Sequence, residues 1–445
     1  MGTLETNPPA SRGARLPREA MDNRVMSSAR LPEHATVMAN EQVWMEGAAI
    51  EQLARVATYE GCARAVGMPD LHPGPTVPIG VALGFDGRIM PALVGGDAGC
   101  GARVITFAKL KLSGDRLERR VREQTEAPPL PEVDPVAALR AVWREGPRGL
   151  CRVPGVPASL VELAQRSDAD ASDNLPASGE LPEAFAELAA NYGSSLGSVG
   201  GGNHFLELSQ IDAVYGNANA STQAKDRWGL RRGDFAVLAH SGSRGLGRAL
   251  ALRWGQRCLT SPADRDAYLT ELAGACRFAR ANRLVLCWRM LDAIGAAKPG
   301  RLRGSFDLTH NDVNLERANG RDLWVHRKGC APAHADQPTV VLGTRGTASY
   351  VMRGLGHEGC LCSVAHGAGR RMTRSEARAK VAHKHKRKTL TRTASGSRVI
   401  CDDKNLLYEE HPDAYKDVEV VVDSLEQAGA ATRVAALMPL VTVKR

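Results

Sequence analysis

Short apolar runs alternate with glycine-rich polar stretches along most of this chain, and long amphipathic segments are few. Helical periodicity is clear in two places. Residues 46–59 put Ile50, Leu53 and Val56 on one face, and residues 417–427 do the same with Val418, Val421, Val422 and Leu425. Residues 268–294 predict one or two further helices. Strands are predicted at residues 103–107, 205–208, 235–239, 325–328, 340–342 and 437–443. Residues 68–74 hold too much proline for regular structure, and residues 308–311 read as a polar loop. Thr373 and Glu376 have capping-box spacing, so a helix is predicted to start near Arg374. Helices and strands follow one another without a strict βαβ rhythm, and no internal repeat is present. An α+β fold with mixed sheets and surrounding helices is therefore expected.

Residues 1–35 are rich in Pro, Ser, Gly and Arg and carry no period, which predicts a disordered or loosely attached tail. Residues 127–134 and 167–182 are rich in proline or in Ser, Asp and Pro. The span 127–182 is expected to form surface loops or an insertion with helices between them, within one catalytic domain covering residues 36–445.

Composition changes this picture only modestly. Of 445 residues, 43% are hydrophobic but 4% aromatic, so Leu, Val and Ala must fill the core. Many of the 45 glycines sit beside polar residues, as in loops that approach a ligand. A net charge of +9 permits a polyanionic partner such as nucleic acid. The ten cysteines form no regular framework, residues 1–30 lack a secretory apolar region, and no apolar run is long enough for a bilayer. Reduced thiols, a cytoplasmic location and no membrane partner are the expectation.

The candidate chemistry centres on His366. It sits between small residues and glycines, with Arg370 and Arg371 next and the predicted helix start just beyond. Backbone N–H groups before a helix N-terminus favour a phosphate, and a histidine nucleophile would find access and positive charge there. The same loop would also suit a buried, hydrogen-bonded imidazole. Elsewhere Asp97 with Cys100, His204, His240 and His310 each offer a metal ligand flanked by glycines or small polar residues. One carboxylate, one thiol and three imidazoles suit Zn, Mn, Fe or Co better than Mg or Ca. Taken singly, each histidine is more often a satisfied structural residue than a ligand.

Taken jointly, these motifs resemble the RtcB family of RNA ligases. The resemblance rests on Asp97 to Gly101, Gly200 to Phe205, His240 to Gly247, His310-Asn311, His326 to Gly329 and His366 to Arg370, in family order. It spans Asp70 to Lys444. It implies joining of RNA 3′-phosphate or 2′,3′-cyclic phosphate ends to 5′-hydroxyl ends, in RNA repair or tRNA splicing, with GTP as cosubstrate and two Mn²⁺ ions. His366 would become guanylylated, and the guanylate would pass to the RNA 3′-phosphate before sealing. By position, Cys100 would bridge the metals, Asp97 and His204 would complete one site, and His240 and His310 the other. Asn203, Glu207, Thr344, Ser349, Gly367, Gly369, Tyr415 and Lys444 would bind the nucleotide. Arg244, His326, Arg327, Lys328, Arg370 and Arg371 would contact RNA phosphates.

Some positions depart from the family pattern. Thr344-Arg345 stands where many members have Ser-Met, Cys330 where Ala is usual, and Lys444-Arg445 where many have Lys-Gly. Residues 67–74 and 343–346 resemble the bacterial branch associated with a release-factor-H-like protein, which is one implied partner; an archease-like activator is another. Lys384, Lys386, Arg387 and Lys388 are expected to follow RNA backbone, or else to form a solvated helix face. An alternative activity is a metal-dependent phosphodiesterase or phosphatase on RNA ends, which would have no use for His366, Glu207 or Lys444.

Overall fold

In the computed structural model, residues 30–111, 114–167, 176, 179–216, 228–385 and 390–445 are described. Most of the expected N-terminal tail lies outside them, as do Lys386, Arg387 and Lys388.

Two sheets face each other. The smaller has five strands, β1 (Ala35–Val37), β2 (Cys62–His72), β3 (Ile79–Phe85), β8 (Asn311–Ala318) and β9 (Arg321–Lys328), in the order β1-β2-β3-β9-β8. The larger follows the order β11-β12-β15-β5-β6-β4-β7, with β14 (Arg398–Ile400) also pairing with β15. Its strands are β4 (Gly101–Phe107), β5 (Phe205–Val214), β6 (Phe235–Ser241), β7 (Leu302–Thr309), β11 (Pro338–Val341), β12 (Ser349–Gly354) and β15 (Ala431–Val443). A two-stranded ribbon joins β10 (Cys330–Pro332) to β13 (Ser363–Ala365). Pairing is antiparallel except at β1–β2 and β14–β15, so the mixed α+β expectation holds.

Period-two alternation explains the layering. In β6, Phe235, Val237 and Ala239 enter the core beneath a helical layer, while Ala236 and Leu238 enter the core between the sheets. In β4, Ile105 and Phe107 take the first side and Ala102 and Val104 the second. His240 continues the even set of β6 and therefore belongs to the inter-sheet face. Truncating Leu238 to Ala would cost about 2–5 kcal/mol, because both layers abut it.

The helical layer is led by one helix, Pro262–Ala293, of 32 residues. It starts where Ser261 accepts a hydrogen bond from the Asp264 amide and Pro262 occupies the first turn. Helices Pro135–Glu145 and Ala158–Ser167 pack on it through Leu139, Trp143, Leu160 and Leu163. The helical parts of the expected insertion thus belong to the core. The other two periodic segments form helices Gly47–Ala57 and Val418–Gln427, the latter capped by Asp417.

Two local expectations are corrected. Residues 68–72 continue β2 rather than leaving regular structure. Their pairing shifts between Gly67↔Val81 and His72↔Ile79, so the proline sits in a bulge that needs no donor from it. His310 is not in a loop. It is the single residue between β7 and β8.

Candidate active site

Strands β5, β6, β4 and β7 are neighbours, and their register brings four ends to one edge. Gly101 faces Ser241 on one side and Thr309 on the other, and Phe205 faces His240. Cys100 precedes β4, His204 precedes β5, His240 is next to last in β6, and His310 follows β7. Antiparallel pairing therefore gathers ligand-type residues that are far apart in sequence.

The donor atoms nearly touch. Cys100 Sγ lies 3.3 Å from His204 Nε2 and 3.4 Å from His240 Nε2. His240 Nε2 lies 3.3 Å from His310 Nε2, and His204 Nε2 lies 2.9 Å from Asp97 Oδ2. They fall into two groups, Asp97–Cys100–His204 and Cys100–His240–His310, that share Cys100. A Cβ at Gly242 would stand 2.2 Å from Asp97 Oδ1, so glycine there makes room for the carboxylate. Burial and the neighbouring imidazoles hold His240 and His310 well below the ordinary histidine range, which keeps them neutral. Burial and the Asp97 charge push the Cys100 thiol up. A divalent cation reverses that preference, because a coordinating thiol gives up its proton. Buried, convergent nitrogen and sulfur donors beside a carboxylate suit divalent transition ions, which the two groups sharing Cys100 would hold.

A second layer fixes these ligands. Arg283, on the long helix, is fully buried, and its Nη1 donates to Gly99 O at 2.8 Å and Ser241 O at 2.9 Å. These carbonyls adjoin Cys100 and His240. Asp307 holds the guanidinium, accepting from Nε at 2.9 Å and from Nη2 at 2.5 Å, and also takes Arg103 Nε at 3.1 Å. Arg244 lies 3.0 Å from His204 Nδ1 and donates to Val199 O.

Beside the ligands opens a cavity of about 600 Å³. His366 follows β13 and lines it, its ring 4.8 Å from that of His310 and 6.3 Å from that of His240. Its Nδ1 lies 2.7 Å from Oδ2 of the fully buried Asp70, which leaves Nε2 as the free nitrogen. Asp70 sits in the β2 bulge. Lys416 Nζ donates to the carbonyls on either side of it, Pro69 O at 3.0 Å and Leu71 O at 2.7 Å. Burial lowers that ammonium to about 8, against the charges of Asp70 and Glu46. Gly369 packs on the same bulge, where a Cβ would approach Asp70 O to 2.3 Å. The helix after the loop begins at Arg374 with the expected capping box.

Part of the cavity lining is polar. Glu207 accepts from Ser209 Oγ at 2.9 Å and Thr442 Oγ1 at 2.7 Å. Burial pushes its carboxyl up to about 7, against those two hydrogen bonds and the Lys444 ammonium. Lys444 Nζ donates to His204 O at 3.1 Å and stands 3.5 Å from Glu410 Oε2. Glu410 also accepts from Arg370 Nη1 at 3.0 Å and from the Tyr415 hydroxyl. The Arg370 guanidinium lies 5.1 Å from the Tyr415 ring centre.

The expected site residues therefore divide. Asn203, Glu207, Thr344, Gly367, Gly369, Arg370, Tyr415 and Lys444 line one cavity with His366. Ser349 does not: its hydroxyl accepts from Gly343 N and orders the turn behind Thr344. Arg370 is engaged by Glu410, Glu409 O and Met372 O, so it builds the wall. His326 and Arg327 are fully buried rather than facing a phosphate. They sit on β9, which has strands on both sides. His326 Nε2 accepts from Met90 N, and Arg327 is paired with Glu316 and Ser363. Lys328 is partly buried, and Arg371 is exposed. Asp70, Lys416, Glu410 and the Arg283–Asp307 pair are given no role in the reading of the sequence.

This arrangement, two ligand-type groups that share Cys100 beside a cavity lined by His366, is that of a candidate metal-dependent active site. The family described as tRNA-splicing ligase RtcB matches residues 52–445. The chain is 36% identical over 423 residues to "RNA-splicing ligase RtcB2" of Escherichia coli, covering 93% of this chain and 96% of that protein. It is 32% identical to "RNA-splicing ligase RtcB" of Mycobacterium tuberculosis (88% and 100% covered) and 29% identical to "tRNA-splicing ligase RtcB" of Thermococcus kodakarensis (89% and 90%). The chain belongs to the RtcB family of RNA ligases. Among the described residues no helix is long and apolar enough to cross a membrane.

Proposed function

We propose that this chain joins RNA 3′-phosphate or 2′,3′-cyclic phosphate ends to 5′-hydroxyl ends, using GTP and a guanylylated His366. The observation that carries the reading is the pairing of Asp70 with His366 Nδ1 beside a cavity that Glu207 and Lys444 also line. Asp70 fixes the tautomer with the proton on Nδ1, so Nε2 keeps its lone pair. That nitrogen attacks the α-phosphorus of GTP, a P–N bond forms, and the bond to pyrophosphate breaks. The imidazolium that results shares its Nδ1 proton with Asp70. An RNA 3′-phosphate oxygen then displaces the imidazole and takes the guanylate. The 5′-hydroxyl attacks the activated 3′-phosphorus, GMP leaves, and the phosphodiester is made; a cyclic end is first opened by water.

Glu207 would accept the two adjacent N–H donors of guanine when ionised. Tyr415, pinned by Arg370 and Glu410, offers the base a face, and Asn203 and Lys444 offer donors. Two divalent ions, manganese by family resemblance, would be held by Asp97, Cys100 and His204 and by Cys100, His240 and His310, and when bound they supply charge neutralisation and oxygen activation. The exposed arginines Arg371 and Arg374 and the basic run beginning near Lys384 would meet RNA phosphates. A phosphodiesterase would use the ligands but not the nucleotide wall.

The test is incubation with α-labelled GTP and Mn²⁺. Label should appear on the protein, and His366→Ala should take up none while keeping its metal content. Label on the His366→Ala protein would place the nucleophile elsewhere.

A further inference from the structure

One more cluster of metal-competent side chains lies outside the site described above. His385 follows the helix Arg374–Lys384, and His411 and Asp413 belong to the short turn that leads into Tyr415. The two imidazoles stack, with ring centres 4.7 Å apart and planes 29° from parallel. Asp413 spans both: Oδ2 lies 3.9 Å from His385 Nε2 and Oδ1 lies 3.6 Å from His411 Nδ1. One donor atom from each residue falls within 4.8 Å of the other two. We propose that His385, His411 and Asp413 form a third cation site, separate from the Cys100 centre, for a nitrogen-preferring transition ion of the zinc class.

The donor chemistry supports this assignment. Two imidazoles and one carboxylate are a set used by zinc and its neighbours, with water completing the shell. Side-chain exposures of 36% for His385 and 47% for Asp413 leave that water a path. Tetrahedral zinc would draw the donors to about 3.3 Å from one another. His385 and Asp413, the more exposed of the three, reach that by side-chain rotation toward His411. The Asp413 amide donates to His411 Nδ1 at 3.2 Å, a bond that the ion would replace. Lys384 and Arg345 also bear on selectivity. Their charge opposes ions held by electrostatics alone, such as Mg²⁺, Ca²⁺ and Mn²⁺. It leaves the site to ions held by strong bonds to nitrogen.

The location gives the ion a consequence, which rests on reading the cavity as the nucleotide site. Arg371 N donates to Ala414 O at 2.9 Å and Lys416 N to Gly369 O at 2.9 Å, so the turn is sewn to the nucleophile loop. An ion bridging His385 to that turn ties the root of the basic run to the wall that carries Tyr415.

The full chain, saturated with Mn²⁺, is dialysed to equilibrium against micromolar ZnCl₂, and both metals are counted by mass spectrometry. Wild type should hold one zinc per chain more than the His385→Asn/His411→Asn double variant, with equal metal remaining at the Cys100 centre. Asp413→Asn, a surface change, should raise the zinc concentration needed for that extra ion about tenfold. Equal zinc uptake by wild type and the folded variants overturns the site. No GTP is present, so a failure of guanylylation leaves this result unaffected.

Discussion

Asp70 Oδ2 and His366 Nδ1 lie 2.7 Å apart although 296 positions separate the residues in the chain. The carboxylate is fully buried and its surroundings are built for it, with Lys416 holding the carbonyls on either side. Asp70→Asn keeps the shape and loses control of the tautomer. Labelling of the protein by GTP should slow by about 10²–10⁴-fold, with metal content unchanged. A rate within a factor of a few of wild type, read by rapid quench, would show that the pair is only structural.

Glu207 carries a pH dependence whose direction follows from burial. Its carboxyl is pushed up to about 7, so it loses its charge as pH falls through 7; in the guanine-binding role proposed for it, it would then no longer accept both donors. KM for GTP should rise below pH 7 and level off above it. Stability runs the other way. The folded state binds the proton more tightly than the unfolded chain, so stability falls as pH rises from about 4.5 to 7, by a total on the order of 3 kcal/mol. Glu207→Gln should therefore melt higher than wild type at pH 8 while discriminating poorly between GTP and ATP. Thermal melts and competition binding check both halves.

Cys100 belongs to both ligand groups, whereas every other ligand belongs to one. Cys100→Ser should weaken retention of two Mn²⁺ ions, and His240→Ala of one, as counted by titration calorimetry. Equal losses in the two variants would mean that the thiol is not shared.

The Arg283 guanidinium ties the loop before Cys100 to the strand end after His240. Asp307→Asn leaves that buried charge short of its partner and should destabilise the protein by about 3–5 kcal/mol. Arg283→Lys keeps charge but not the fork, so it should bind Mn²⁺ at least tenfold more weakly at a temperature where it is folded. Denaturant melts and metal titration together separate lost stability from lost preorganisation.

What the sequence showed of this site follows from geometry. The ligand candidates stood out because each is flanked by glycines or small polar residues, which leave room for a ligand. Thr373 and Glu376 stood out because a capping box is complete within four residues. Asp70 did not, because its strand is interrupted by Pro69 and paired through a bulge, which mimics a loop in the one-letter pattern. His326 and Arg327 misled for a related reason. A basic pair near glycine looks like a phosphate contact until the flanking of β9 by β3 and β8 is known. Arg283 lies on a helix that is buried over most of its length, where periodicity carries little signal.

β15 pairs with β5 along most of its length and brings Thr442 to Glu207, residues 235 positions apart, while β2 brings Asp70 to His366. No fragment bounded by two neighbouring elements holds a complete ligand set or a complete pocket. Such long-range closure makes for slow folding, since distant segments must meet before any contact is rewarded. It also makes the site all-or-none during synthesis. A nascent or clipped chain that lacks β15 has all five ligand-type residues but neither Thr442 nor Lys444, so the cavity is completed only when the last strand is in place.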